Sequence, residues 1–387
     1  MNNLLDATIR RDAQLLRFGT YLKSKYINPT MQRLSREIPS LLTDYQDLSK
    51  FEQKKLAREI RELIDKRMTA MFESITKELH GMTAEEAEFI EGLYEDFTGA
   101  VFAPVVATTA IKAADGAILS LEKNIGKTVG LWSELLEQNK LTAIKEVDAI
   151  VRDGFRAGRT LNDMAVDLRG TYNKSTKSYM GGILNGVNAN RAEALARTGV
   201  SHYSNRARDS FAEDNKKIIP ESVFFATLDN RTTTQCLHFH LSRWKNDDPK
   251  KPVLPLHFGE RSVYLFAGNG IDPLEGTRPV IGGKKGAADE FESRQDRTDK
   301  KVKYKGRKDL DVFTVDQVSA KVTAQKWLER QPRFFVESTL GKARAKLFLD
   351  GGLKIDKFTN LQGRPLTLEE LRATAEGERA WRRAGLD

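Results

Sequence analysis

Cysteine is almost absent from this sequence, and histidine is scarce. Of the 387 residues, one is cysteine and five are histidine. A single cysteine excludes an internal disulfide framework and is typical of proteins from a reducing compartment. It also excludes the Cys-x-x-Cys pairs that build many structural zinc sites.

Long hydrophobic runs are missing as well. The N-terminal stretch MNNLLDATIRRD carries charges where a signal peptide needs its apolar core, so we expect no export by that route. The longest weakly polar run, residues 97–111, is interrupted by Pro104 and is too short to span a bilayer. The sequence therefore predicts buried helices in this region and no membrane partner.

Basic residues are abundant by contrast. Lysine and arginine outnumber aspartate and glutamate, 63 to 54, for a formal net charge of +9. This excess favours contact with polyanions, most simply nucleic acid, although a solvated basic surface explains it equally well. Hydrophobic residues make up 40% of the chain and charged residues 30%, the balance of a globular protein. At this length, two or more domains are expected.

Residues 1 to about 180 have the apolar periodicity of helices. Between positions 48 and 72, apolar residues recur at three- and four-residue steps among charged ones. Thr83 and Glu86 have the spacing of a capping box, which predicts that a new helix opens there. Such apolar stripes form either an internal bundle core or a docking face for partner helices, and we favour the core.

Glycines mark the predicted boundaries. Gly158 is expected to end one helix, and Thr160 with Asp163 to cap the next. Gly170 and the glycine pair at 181–182 indicate a flexible joint. We therefore place the domain boundary near residue 180.

A further helix is predicted over residues 189–215. Its apolar residues are expected to pack on the strands that follow: Leu195, Val200, Tyr203 and Phe211. Its arginines form either a phosphate-contacting face or a solvated one: Arg191, Arg197, Arg206 and Arg208. We favour solvation for most of them, because acidic residues are interleaved.

The stretch 222–266 combines strand signals with most of the reactive side chains. Residues 222–228 are rich in β-branched and aromatic types, which predicts a buried strand that the turn formers Asp229 and Asn230 end. Residues 262–266 predict its partner strand. Together they predict a small antiparallel sheet.

The polar residues between these strands allow three interpretations. Cys236 and His240 would share one face of a helix, and His257 with Glu260 would complete a site for a metal ion such as zinc. The second interpretation, a buried thiol with hydrogen-bonded histidines, is favoured because the ligand spacing is irregular. The third is a metal-dependent hydrolase or nuclease that also uses His238.

Residues 269 to about 308 are poor in large apolar side chains. Between positions 284 and 308 there are ten basic and five acidic residues, and we expect a long surface loop or arm. It is either a surface loop without a binding role or a segment that becomes ordered when it binds DNA or a partner, and we favour the second. The candidate DNA-contacting residues are Lys284, Lys285, Lys300, Lys301, Lys303, Lys305, Arg307 and Lys308.

Residues 325–373 have the pattern of short helices. Glycines at 341 and 351–352 separate the apolar sets, and Thr367 with Glu370 has the spacing of a capping box. No catalytic constellation is legible in this part. Residues 376–387 are interpreted as a C-terminal tail.

Two motif clusters, in the correct order, resemble the Mu F-like minor head proteins of tailed bacteriophages, also called head morphogenesis proteins. The residues that match the family pattern are Arg197, Thr198, Asp229, Arg231, Thr232, Pro255, His257, Arg261, Trp327, Gln331 and Pro332. Glu260 and Ser262 stand where the family has two later cysteines, which argues against a zinc site of the family's kind.

The resemblance implies a low-copy structural protein inside the phage head. Such a protein lies near the portal, acts in head assembly and has DNA packaging or ejection as a further role. The implied partners are the portal protein, capsid or scaffolding proteins and DNA without sequence preference. The implied locations are the virion and, during assembly, the host cytoplasm. Neither a catalytic residue nor a cofactor is expected.

The predicted fold class is a mostly helical α+β protein. A helical domain over residues 1–180 is followed by a helix-flanked small antiparallel sheet domain over 181–375, the head morphogenesis domain, and by the tail. A metal-dependent hydrolase or nuclease that uses Cys236 and His257 remains the alternative function.

Overall fold

The computed structural model describes residues 4–43, 49–122, 127–268, 270–284 and 313–386. The chain forms two compact units. The helical unit comprises residues 9–214 and 252–260, and the sheet unit comprises residues 1–8, 215–251 and 261–387. The predicted class, mostly helical α+β with small antiparallel sheets, is confirmed. No helix in the described ranges is long and apolar enough to cross a membrane.

The first half of the chain is helical with two short hairpins. Its helices are α1 (Leu4–Leu22), α2 (Asn28–Thr43), α3 (Lys50–Thr98), α4 (Ala107–Gly116), α5 (Trp132–Arg156), α6 (Leu161–Arg169) and α7 (Ala189–Asp214). Its antiparallel hairpins are β1 (Leu119–Glu122) with β2 (Lys127–Gly130), and β3 (Thr171–Asn173) with β4 (Ser178–Met180). Two π-helical segments, Lys23–Ile27 and Gly182–Asn188, lead into α2 and α7.

Helix α3 is continuous, so the prediction of a new helix at Thr83 is wrong. The Thr83 hydroxyl donates to the Leu79 carbonyl oxygen, 2.8 Å away, one turn earlier in the same helix. Glu86 does not turn back to cap; its carboxylate accepts a hydrogen bond from Arg208. The true capping box is at Ser49 and Glu52, where α3 begins.

The apolar stripes of α3 and α5 form an internal core, the interpretation that we favoured. Helix α7 belongs to the same core: Leu195, Val200 and Tyr203 are buried within it. Phe211 packs against Tyr94, with ring centroids 5.3 Å apart. The expectation that α7 packs on the strands is therefore wrong, since these side chains are covered by the helices that precede it. Accordingly, the two units divide after residue 214 and not at 180.

The glycines around residue 180 form a packed junction where we predicted a flexible joint. Gly170 and Gly182 have φ values of +79° and +62°. A Cβ atom on Gly170 would lie 2.0 Å from the Met180 carbonyl oxygen, and one on Gly182 would lie 2.4 Å from the Gly170 nitrogen. The two backbone segments touch directly, and only glycine permits this approach.

The sheet unit is built on a three-stranded antiparallel sheet. Strand β5 (Glu221–Phe225) lies in the centre, between β6 (Arg243–Lys245) and β7 (Val263–Ala267). Phe224 of β5 stands opposite Tyr264 of β7. The two strands predicted over 222–228 and 262–266 are thereby confirmed, and all five residues of β7 are buried.

Short helices and a second hairpin complete this unit. The helices are α8 (Thr234–Phe239), α9 (Ala324–Glu329), α10 (Arg333–Leu340), α11 (Lys342–Leu349), α12 (Leu368–Arg372) and α13 (Ala375–Arg383), with a 3-10 turn at Ile355–Phe358. Strand β8 (Thr277–Gly283) pairs with β9 (Phe313–Ser319). The buried apolar residues of α9 to α11 include every one expected from the helical sets: Trp327, Leu328, Phe334, Phe335, Leu340, Leu347 and Phe348.

Two segments that we predicted as a loop and as a C-terminal tail contain regular elements. Residues 277–283 of the predicted loop form β8, in which Arg278 and Val280 are buried. Strand β8 pairs with residues much later in the chain, so the local amino-acid composition does not reveal it. Residues 285–308 of that loop lie outside the described residues. Most of the predicted C-terminal tail lies in α13, which places Ala380 in the apolar core of the sheet unit.

Candidate functional site

The motif Asp229 to Thr232 forms a turn shortly after β5, which ends at Phe225. The Asp229 N–H donates to the Thr232 hydroxyl oxygen over 3.1 Å, and the Thr232 hydroxyl donates to the Thr227 carbonyl oxygen. The Arg231 N–H donates to Asp229 Oδ1 over 2.9 Å. Aspartate and threonine suit this position because their short side chains reach nearby backbone groups.

Arg261 holds the Asp229 carboxylate from the other side. Its Nη2 donates to Oδ1 over 2.8 Å and its Nη1 donates to Oδ2 over 2.5 Å. Burial by itself would raise the pKa of Asp229, but the hydrogen bonds and charge of Arg261 outweigh burial and hold this pKa below its usual range. Both carboxylate oxygens are thus engaged, so Asp229 joins two chain segments and is not poised to take a proton.

His240 is committed to two backbone groups and does not suit a metal ion. Helix α8 ends at Phe239, so His240 leaves the helix on which we expected it to face Cys236. Its Nδ1 accepts from the Ala226 N–H over 3.3 Å, and its Nε2 donates to the Val322 carbonyl oxygen over 3.2 Å. Burial, helped by the charge of Arg278, lowers the pKa of His240 to about 3. The ring is therefore neutral with neither nitrogen left to bind a metal, which corrects the prediction for this residue.

Cys236 is a buried thiol in α8. The Thr233 hydroxyl caps the helix by accepting from the Cys236 N–H over 3.3 Å, and it lies 3.1 Å from Sγ. His238, two residues later, has its pKa lowered by burial. Cys236 and His238 belong to the sheet unit, whereas His257 and Glu260 belong to the helical unit.

The segment 252–260 brings a second group of motif residues into the helical unit. His257 pairs with Glu122 as an isolated parallel bridge. The Thr198 hydroxyl donates to the Ala194 carbonyl oxygen over 2.8 Å and accepts from the Gly259 N–H over 3.0 Å. The segment is thereby attached to β1 and to α7.

The side chains of His257 and Glu260 approach each other within that segment. His257 Nε2 lies 3.4 Å from Glu260 Oε2, and the Leu256 N–H donates to the same carboxylate oxygen over 3.1 Å. The peptide bond before Pro255 is cis. Imidazole and carboxylate are ligand types that zinc accepts, and a structural zinc site needs four ligands.

Arg197, the remaining motif residue of this unit, pairs with Glu193 one turn earlier in α7.

The third motif group, Trp327, Gln331 and Pro332, ties a strand to two helices. Gln331 Oε1 accepts from the Gly283 N–H over 3.0 Å, and its Nε2 donates to the Trp327 carbonyl oxygen over 3.1 Å. A Cβ on Gly283 would lie 2.7 Å from Pro332 Cγ, so the backbone of β8 passes close to the start of α10. These residues support the core and present no reactive group.

One of the eight candidate DNA-contacting residues is described. Lys284 follows β8 and is exposed. The other seven lie outside the described residues: Lys285, Lys300, Lys301, Lys303, Lys305, Arg307 and Lys308.

A buried ion network in the helical unit escaped the sequence analysis. Arg208 belongs to the four arginines of which we expected most to be solvated, but it is 1% exposed. It donates to Glu86 Oε1 over 2.6 Å and to Asp12 Oδ1 over 2.9 Å, and Arg11 donates to the other oxygen of Glu86. Burial raises the pKa of Asp12 to about 6, against the opposing influence of Arg208. The sequence signal that could have indicated this network is a pair of alanines, Ala87 next to Glu86 and Ala207 next to Arg208. Small residues at these positions allow two helices to pack closely.

Most described residues of the family pattern thus make contacts inside one unit or the other, whereas the side chains of Arg197 and Arg231 are 34% and 74% exposed. Arg231 itself is largely exposed and lies 3.9 Å from Asp229. Comparison of the chain with known protein families, with curated proteins and with solved structures finds no match.

Proposed function

We propose that this chain is a minor head protein of a tailed phage, a low-copy internal component of the virion near the portal. It acts in head assembly, with DNA packaging or ejection as a further role, and its partners are the portal protein, capsid or scaffolding proteins and DNA. The main support for the proposal is that the motif residues form hydrogen bonds within the protein. Asp229 with Arg261 and Gln331 with Gly283 join segments distant in the sequence.

Hydrogen bonds that hold chain segments together support a structural role for these residues and not a role in an active site. A general base or nucleophile needs an accessible lone pair near a substrate, but the oxygens of Asp229 and the nitrogens of His240 are engaged within the protein. The formal charge of +9 supports the proposed contact with DNA.

The test is co-expression of the tagged chain with the portal protein encoded in the same phage genome. We expect the two to elute together on size exclusion at a fixed ratio, and we expect no such complex with the portal of an unrelated phage. A chain that is folded by circular dichroism yet elutes apart from its own portal, and is missing from assembled heads, contradicts the proposal.

The second candidate is a metal-dependent hydrolase or nuclease centred on Cys236 and His257. The observation in its favour is the approach of His257 to Glu260, 3.4 Å between Nε2 and Oε2. Metal analysis of the purified protein tests it, together with the double variant Cys236→Ala, His257→Ala. One equivalent of zinc that the double variant loses, with loss of a hydrolytic activity, would favour this candidate over the first.

A further inference from the structure

The end of the sheet unit holds a small cavity with a basic lining. Its volume is about 280 Å³, and the turn after α11, the 3-10 turn and α13 surround it. Four basic and two acidic side chains line it, together with a glycine pair at 351–352: Lys354, Lys357, Arg379, Arg383, Asp356 and Glu376. The lining therefore carries an excess of positive charge.

The glycine pair shapes the cavity by bringing backbone to its surface. After α11, the Gly351 N–H donates to the Lys346 carbonyl oxygen over 3.0 Å, and the Leu353 N–H donates to the Leu347 carbonyl oxygen over 2.9 Å. A Cβ on Gly351 would lie 2.5 Å from the Ala380 carbonyl oxygen, so α13 packs directly on this turn. Gly352 has a φ of +67°, which glycine adopts without strain.

In the part of the chain that the structure describes, two of the four lining cations make no polar contact through their side chains. Arg379 is not one of them, because its Nε donates to the Ala375 carbonyl oxygen over 3.1 Å. Lys357 is paired with Glu376 over 3.2 Å. In the described part of the chain, Lys354 and Arg383 make no hydrogen bond or ion pair through their side chains, and both are exposed. Arg383 Nη1 would lie 3.6 Å from a Cβ on Gly352, so the guanidinium stands beside the glycine turn.

A positive cavity edged by an arginine fork, an ammonium group and glycine backbone is suited to a phosphate group. Arginine presents two parallel donors to a phosphate, and lysine adds a compact charge. Since the N–H groups of Gly351 and Leu353 already donate to carbonyl oxygens, the backbone donor that this turn can offer to an anion is the N–H of Gly352, which no side chain covers. Contacts to DNA phosphates of this type position a protein on the duplex without reading its sequence.

We propose that Lys354, Arg383 and the N–H of Gly352 bind one phosphate of the DNA backbone. The choice of DNA rests on the proposed function, whereas the phosphate site rests on the cavity and its charges. Free inorganic phosphate has the same chemistry, and the experiment distinguishes the two sources. The site also differs from the predicted basic loop, because it lies on the described C-terminal elements.

The test uses the full chain, a labelled duplex and a series of salt concentrations. Removal of one phosphate contact lowers the slope of log affinity against log salt by about 0.9. We expect the double variant Lys354→Gln, Arg383→Gln to lose this much slope, which makes binding about eightfold weaker at 0.1 M salt if both proteins agree at 1 M. The matched control is Arg58→Gln, Arg156→Gln, two exposed cations of the helical unit, and it keeps the parent's slope.

A second measurement separates phosphate from DNA. The midpoint of thermal unfolding is compared in inorganic phosphate and in chloride at equal ionic strength. Phosphate also stabilises folded proteins without binding to a site, so we expect the midpoint to rise more in the parent and in the control than in Lys354→Gln, Arg383→Gln. Such a difference without DNA binding would assign the site to free phosphate and overturn its assignment to DNA.

The remaining outcomes bear on the cavity and on the proposed function separately. If the parent binds DNA and the double variant keeps its slope, the cavity is not the site, while the proposed DNA contact stands. If the parent neither binds DNA nor responds to phosphate more than the double variant does, this inference is overturned and the DNA contact of the proposed function is contradicted too. The portal experiment is unaffected by either result.

Discussion

Arg261 donates two parallel hydrogen bonds to Asp229, and through them the segment that leads into β7 is joined to the turn after β5. The carboxylate is 1% exposed and the arginine side chain 17% exposed. A buried pair of this geometry contributes most when it is complete, since the loss of one partner leaves the other charge buried and uncompensated. The first prediction follows from this pair.

Asp229→Asn should lower the free energy of unfolding by about 3 kcal/mol, because Arg261 is left without its counter-charge. Urea unfolding at pH 7 measures the change. The control is Arg231→Gln, whose arginine is 74% exposed and 3.9 Å from the same carboxylate, and which should change stability by less than about 0.5 kcal/mol. If both substitutions lower the free energy of unfolding equally, the bidentate pair contributes no more to stability than the exposed one.

His240→Ala should destabilise the protein by about 3 kcal/mol at pH 7. It leaves the Ala226 N–H and the Val322 carbonyl oxygen buried without their partner, and each such group costs about 1–3 kcal/mol. Because the folded pKa of about 3 lies below the unfolded value of 6.5, this contribution is present above pH 6.5 and decreases as the pH falls. A stability difference between parent and variant that is independent of pH from 4 to 7 would contradict this assignment.

Gly182→Ala should be far more damaging than Gly158→Ala, although both glycines have nearly the same positive φ, +62° and +63°. Left-handed backbone costs alanine about 1–2 kcal/mol at either position. Only at Gly182 does the new Cβ also meet backbone, at 2.4 Å, whereas Gly158 has open space around it. Thermal unfolding of both variants separates the two effects. Similar midpoints for the two would mean that the junction can move apart.

The stability contribution of Asp12 should decrease as the pH rises from 4 to 7. Burial raises its folded pKa to about 6 from an ordinary 3.8, so the folded state binds more protons than the unfolded state within this window. Asp12→Asn lacks this titration, and the stability difference between parent and variant should fall by on the order of 2 kcal/mol across it. Denaturant unfolding at several pH values checks the sign. A difference that grows with pH would show that Arg208 outweighs burial and holds the Asp12 pKa below its ordinary value.

Local signals were sufficient where a residue interacts with near neighbours in the chain. The hydroxyl of Thr160 caps α6 and that of Thr367 caps α12, both as predicted, because each capping bond spans three residues. The same signal failed at Thr83, since Glu86 is bonded to Arg208, 122 positions away. The burial of the apolar sets in α9 to α11 was also predictable, because helical periodicity is itself a local property.

The candidate site was predictable in its residue types and not in their pairings. The resemblance selected Asp229, Arg261 and Gln331, but the sequence could not say that the first two bind each other or that Gln331 binds the end of β8. His240 looked like a ligand by spacing, and its two backbone partners come from segments 14 and 82 residues away.

By itself, the sequence determined the fold class, the helical character of the first half of the chain and the strands β5 and β7, because apolar periodicity and caps act over a few residues. Only the tertiary structure decided which charges are buried in pairs, that residues 277–283 form a strand, and that the glycines near 180 are packed together. It also decided that the chain divides after residue 214. Each of these depends on contacts between distant segments, whose free energy appears only when the segments meet.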